Sequence, residues 1–149
     1  MDRTLPSISI YSKVIHPMTY AAAYVGALVV FGIIDAIWLS WAVPNIYKPM
    51  FGDALADPIR MVPAVIFYFS FPIGIVIFAI SPALKENSAL MALVLGGLLG
   101  ALAYGTYDLT NYATLKFFTG TTAAIDIAYG TVVIALSALG GYLAARVIS

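Results

Sequence analysis

Residues 104–116, YGTYDLTNYATLK, decide how this chain is laid out. They follow some fifteen residues that are almost all Ala, Leu and Gly, and they crowd three Tyr, three Thr, an Asp and an Asn together. The stretch is either a polar loop or the end of a membrane helix. Spacing favours the helix. Residues three or four apart share a helical face, and Gly97, Ala101, Tyr104, Gly105, Asp108, Asn111 and Tyr112 fall on one stripe that runs through both the apolar and the polar part. The polar stretch therefore reads as the last two or three turns of a helix that surfaces at Lys116.

A hydrocarbon core of ~30 Å takes roughly 20 apolar residues in a helix. Four runs qualify, at about 18–43, 59–80, 88–115 and 121–147. Between them lie VPNIYKPMFGDALADPIR (43–60), read as an interfacial loop, SPALKENS (81–88), a short turn, and KFFTGTT (116–122), which makes an antiparallel hairpin of helices three and four. Residues 1–17 read as a polar interfacial tail and 18–149 as one four-helix transmembrane domain. Pro63 lies in the first turn of helix two, while Pro72 is mid-helix and is expected to kink it. The expected fold is an all-α integral membrane four-helix bundle with both termini on the same side.

Composition agrees with this layout. The chain is 62% hydrophobic and 9% charged, with a mean hydropathy of +0.99, whereas soluble domains are about half apolar and a quarter charged. A net charge of zero leaves no basic patch for nucleic acid. Cys is absent, which removes disulfides, thiolate nucleophiles and Cys-based metal sites, and the only His is His16. An intramembrane metal would need carboxylates, amides and carbonyls, a donor set for a hard ion. No metal ligand set is assigned, and the sequence names no cofactor and no catalytic residue. Basic residues number four on the terminal side (Arg3, Lys13, Lys85, Arg146) and three on the far side (Lys48, Arg60, Lys116), a lean towards cytoplasmic termini.

Depth singles out the acids. Counted from the far side at 1.5 Å per residue, Asp35 and Asp108 lie roughly 12 Å down, Tyr68 about 13 Å and Asp126 roughly 7–8 Å. Small residues flank Asp108 and Asp126 on their stripes, as on helix contact faces in membranes, so both acids are expected to point into the bundle. Each Asp costs ~2.5–3.5 kcal/mol to insert, and three ionised carboxylates in one layer would repel, so the cluster is expected to hold a proton or a cation. The competing readings are plain ones. Asp108, Thr110 and Asn111 also suit interhelical hydrogen bonding, Asp126 suits the dipole of its helix N-terminus, and Trp41 and Tyr47 suit an interfacial aromatic belt.

DAIWL (35–39), FYF (67–69), YGTYDLTNYATLK (104–116) and IDIAYGT (125–131) together resemble the small four-helix bacterial membrane proteins catalogued as domain of unknown function 2177, over about residues 20–145. Tyr129 and Gly105 stand where that pattern usually has Trp and Ala. The resemblance implies a bacterial inner-membrane location and points weakly towards lipids. Taken together, the candidate ligand- or proton-binding residues are Asp35, Trp38, Tyr68, Tyr104, Tyr107, Asp108, Thr110, Asn111, Asp126 and Tyr129. Three functions fit them: a module that binds or translocates a small or lipid-like ligand with proton or cation coupling, a cofactor-free lipid-modifying enzyme using Asp and Tyr as acid and base, or an accessory subunit of a larger membrane complex. Membrane lipid is the expected partner, with either a second copy of the chain or a larger membrane complex beside it.

Overall fold

A computed structural model describes residues 16–148, so the tail proper lies outside the described residues. Four helices are long and apolar enough to cross a membrane. Helix one is Pro17–Ala42, helix two Met61–Lys85, helix three Ala89–Thr114 and helix four Gly120–Ile148. No strand occurs among the described residues. In lipid every backbone polar group must be satisfied within the segment, which is why apolar runs rich in Val and Ile are helical here. Their starts are marked by side chains. The His16 imidazole accepts from the Met18 N–H at 3.3 Å ahead of Pro17, Ser88 accepts from Met91 at 3.1 Å, and Thr119 from Thr122 at 3.1 Å.

The connection at 43–60 is the first departure from the sequence reading. It is not a loop over most of its length. Helix one runs on through a π-helical turn, Val43–Tyr47, and a further helical turn, Lys48–Phe51. Pro44 has no N–H to give, and the wider turn absorbs the mismatch: the Lys48 N–H reaches back to the Val43 carbonyl. The Asn45 side-chain amide donates to the Trp41 carbonyl at 2.7 Å, the partner its own backbone would otherwise supply. Gly52 ends this extension with φ at +51°, a conformation that favours glycine.

Helix two carries Pro72 inside it and a π-helical stretch, Val76–Ile80, directly after it. The Phe69 carbonyl, in the turn that Pro72 loosens, accepts from the Tyr24 hydroxyl of helix one at 2.9 Å. On the terminal side of this break Ile75, Val76, Ala79, Ile80 and Ala83 are buried in the core; on the far side only Ala64 and Tyr68 of Met61–Ser70 are even half-buried. The bundle is thus tight near the termini and looser at the far end.

Helix four is the centre of the bundle, packed along helix three on one side and helix one on the other. Its partners meet it through small residues. A Cβ on Gly96 would lie 2.6 Å from the Ala138 Cβ, and one on Gly26 2.7 Å from the Ala144 Cβ. A Cβ on Gly100 would strike the Gly130 carbonyl, and one on Gly130 the Tyr104 ring. The contact line of helix three is therefore Gly96, Gly100, Tyr104 and Asp108, one position round from the stripe through Gly97 and Gly105 inferred from spacing. A Cβ on Gly105 would meet nothing within 4 Å. On helix one the matching line is Ala23, Ala27, Phe31 and Asp35, all buried.

Candidate functional site

The three intramembrane acids are all buried, at 0% exposure for Asp108, 4% for Asp126 and 6% for Asp35. They do not form one cluster. Asp35 continues the helix-one contact line at a four-residue interval and receives two phenols: the Tyr129 hydroxyl donates to Oδ1 at 2.9 Å and the Tyr68 hydroxyl donates to Oδ2. One carboxylate therefore joins helices one, two and four. Trp38 lies one turn on and stacks on Tyr129, with ring centroids 4.2 Å apart and planes 11° from parallel. This group is satisfied within the protein.

The second group is not. Asp126 accepts from the Tyr47 hydroxyl at 2.9 Å. Asp108, at the end of the helix-three contact line, faces Asp126 closely enough for the two to interact electrostatically, and neither Asp108 oxygen has a hydrogen-bond partner. Both acids lie at the wall of an open cavity of about 1030 Å³. Tyr104, Tyr107 and Phe118 complete its inner wall, and Tyr47, Lys48, Phe51 and the 52–59 segment form its outer wall. Phe51 meets Phe117 and Phe118 edge to face, with centroids 5.3 and 6.4 Å away, which seats the connection against the hairpin of helices three and four. Tyr104, which lines the cavity and meets Tyr129 edge to face at 6.0 Å, lies between the two groups.

Among the sequence candidates, Tyr104, Tyr107, Asp108 and Asp126 line the cavity; Asp35, Trp38, Tyr68 and Tyr129 form the neighbouring satisfied group. Asn111 is half-buried one turn beyond Tyr107. Thr110 is exposed and returns its hydroxyl to the Thr106 and Tyr107 carbonyls at 2.6 and 3.0 Å. Thr106 and Thr114 do the same to Leu102 and Thr110, at 2.7 and 2.8 Å. Three of the eight Tyr, Thr, Asp and Asn side chains in YGTYDLTNYATLK are thus spent on its own backbone. Tyr47, read from the sequence as a belt residue, lines the cavity instead, and Phe51, Asp53, Asp57 and Phe118 are lining residues that sequence reasoning missed. A connection of eighteen residues without structure is uncommon in a compact bundle, and that length was the signal that 43–60 carries more than a link.

A donor set for a metal ion is thin. Among the described residues no three His, Asp or Glu side chains come together to hold one. The arrangement is instead a cavity with two buried carboxyls, phenols, and an outer wall that mixes apolar and charged side chains.

A family described as "Predicted membrane protein (DUF2177)" matches residues 20–143. The chain belongs to this family. The match covers helix one from Tyr20 to helix four at Leu143, and with it every residue of both polar groups. The protein is an integral membrane protein with four spans. No curated protein and no solved structure matches it.

Proposed function

We propose that the chain binds, and passes across its membrane, a small or lipid-like ligand whose polar head sits against Asp108, with a proton or cation accompanying it. The observation that carries this is a fully buried carboxyl with neither oxygen partnered, at the wall of a cavity of about 1030 Å³. Leaving a buried carboxylate without donors costs several kcal/mol. A fold keeps such a group where something else completes it, and intramembrane acids are functional by default. Asp126 and Tyr47 act beside it, and Tyr104 and Tyr107 orient what enters. The satisfied Asp35 group braces the wall by holding helices one, two and four in register. A proton fits the pair better than a metal ion, because only two carboxyls converge.

We assign the chain to a bacterial cytoplasmic membrane with its termini in the cytoplasm, on the family resemblance and the four-to-three lean of basic residues. Native mass spectrometry of gently solubilised protein tests the function. Wild type should retain a small molecule or lipid that Asp108→Asn loses while remaining folded. A protein that holds a stoichiometric protein partner, and is indifferent to Asp108→Asn, would instead be an accessory subunit. Conversion of the retained molecule during incubation would favour acid–base catalysis by the Asp108 and Asp126 pair.

A further inference from the structure

We infer that the ligand is an organic cation: an ammonium head, carrying an apolar group, held by carboxylates in front of an aromatic wall. This rests on the cavity being a ligand site and names the chemical class it takes. The charges around the cavity are one-sided. Its lining holds Asp53, Asp57, Asp108 and Asp126 against a single cation, Lys48. A cleft of one sign between low-dielectric walls concentrates the opposite charge.

Asp108 adds the second observation. It is fully buried at the cavity wall and both its oxygens lack donors. An ammonium carrying N–H supplies what those oxygens lack, hydrogen-bond donors, and brings positive charge with them, whereas a phosphate or sulfonate would be brought against two carboxyls. The third is the wall itself. Tyr104, Tyr107 and Phe118 on the inner side, and Tyr47 and Phe51 on the outer, surround the acids with aromatic rings. Aromatic faces attract cations, most strongly where water is excluded.

A bare metal ion fits poorly. Ca²⁺ or Mg²⁺ wants about six or more oxygens, and no cluster of three acidic or His side chains forms among the described residues. A cavity of about 1030 Å³ is of molecular size. Leu55 and Ile59 on its outer wall can cover the apolar part of such a molecule.

The test is equilibrium dialysis of the purified chain in nanodiscs of zwitterionic lipid, with empty nanodiscs as the blank. Three probes share one apolar body: benzylammonium, benzyl alcohol and phenylmethanesulfonate. Only the ammonium should bind saturably, and Asp108→Asn should weaken it roughly tenfold or more, as loss of a desolvated charge partner does. Phe118→Leu, which leaves the carboxyls in place, should weaken it about threefold through loss of an aromatic face. Asp126→Asn should follow Asp108→Asn, and it decides the matter if the Asp108 variant does not fold. Equal binding of the alcohol or the sulfonate, or a change below about twofold in the Asp variants, overturns the inference. If the neutral or anionic probe binds in an Asp108-dependent way, the charge assignment fails and the ligand site stands. If neither a probe nor a native ligand depends on Asp108, both fail.

Discussion

Gly96 and Gly97 are neighbours in sequence, and alanine at the two positions should act in opposite directions. A Cβ at 96 would sit 2.6 Å from the Ala138 Cβ and 2.8 Å from the Ile134 carbonyl oxygen, whereas carbon atoms in contact rest about 3.5–4.0 Å apart. Neither neighbour is the free end of a flexible side chain, so helix three must move away from helix four by about 1 Å. Overpacking of this kind costs ~1–3 kcal/mol. At 97 the nearest atom is the Thr131 Cγ2 at 3.6 Å, an ordinary contact. There alanine gains helix propensity of ~0.8–1.0 kcal/mol without strain. The two variants should therefore differ by roughly 2–4 kcal/mol. Reversible unfolding in mixed micelles, followed by the fluorescence of Trp38 and Trp41, reads that difference directly. If Gly97→Ala is the more damaging, helix three is turned by about 100°. Asp108 then leaves the line that carries it to Asp126, and the site as described is wrong.

Two further predictions concern the polar groups. Asp108→Leu removes a buried carboxyl with no partner, so the ligand-free protein should gain ~1–3 kcal/mol in thermal unfolding in detergent while losing its ligand. A loss of stability would mean that the carboxyl is satisfied within the fold. Tyr24→Phe should cost ~0.5–1.5 kcal/mol in thermal unfolding, through loss of its bond to the Phe69 carbonyl across helices one and two. No measurable loss would show that this hydroxyl does not tie the two helices.

Much of the bundle could be read from hydropathy alone. Lipid leaves the backbone little choice but helix, so four apolar runs with polar breaks place four spans, and a mid-helix Pro places the irregularity in the second. Burial of Asp108 and Asp126 was likewise legible, because small residues at helical spacing mark contact faces; the face around Asp35 carries no such mark. What spacing could not resolve was rotation by one residue. Gly96 and Gly97 both belong to plausible stripes, and only the facing Ala138 and Ile134 decide between them. Depth also misled in one respect. It put Asp35, Asp108 and Asp126 in one slab, but depth says nothing of direction around the bundle axis, and the phenols of Tyr68 and Tyr129 draw Asp35 into a group of its own. Tyr47 was read as a belt residue for a different reason. Two Pro and a Gly near it in sequence read as breakers, yet a π-helical turn accommodates Pro44 and carries the helical path on to the cavity wall.

The residues along the helix-three contact line grow towards the far side: Gly96, Gly100, then the ring of Tyr104 lying over Gly130. Two rods spaced by such a series form a wedge, touching at one end and spread at the other. The cavity beside the buried Asp108 is then the wide end of a taper rather than a hole in a packed interior. Its width is set some distance away. Gly96 to Asp108 is about 18 Å of helix, so a tilt of about 5° at the glycine contact shifts the acid by roughly 1.5 Å over that lever arm. Side-chain size at 96 and 100 thus acts as a remote gauge of what the wide end admits, and variants there should alter selectivity before they alter any group that touches the ligand.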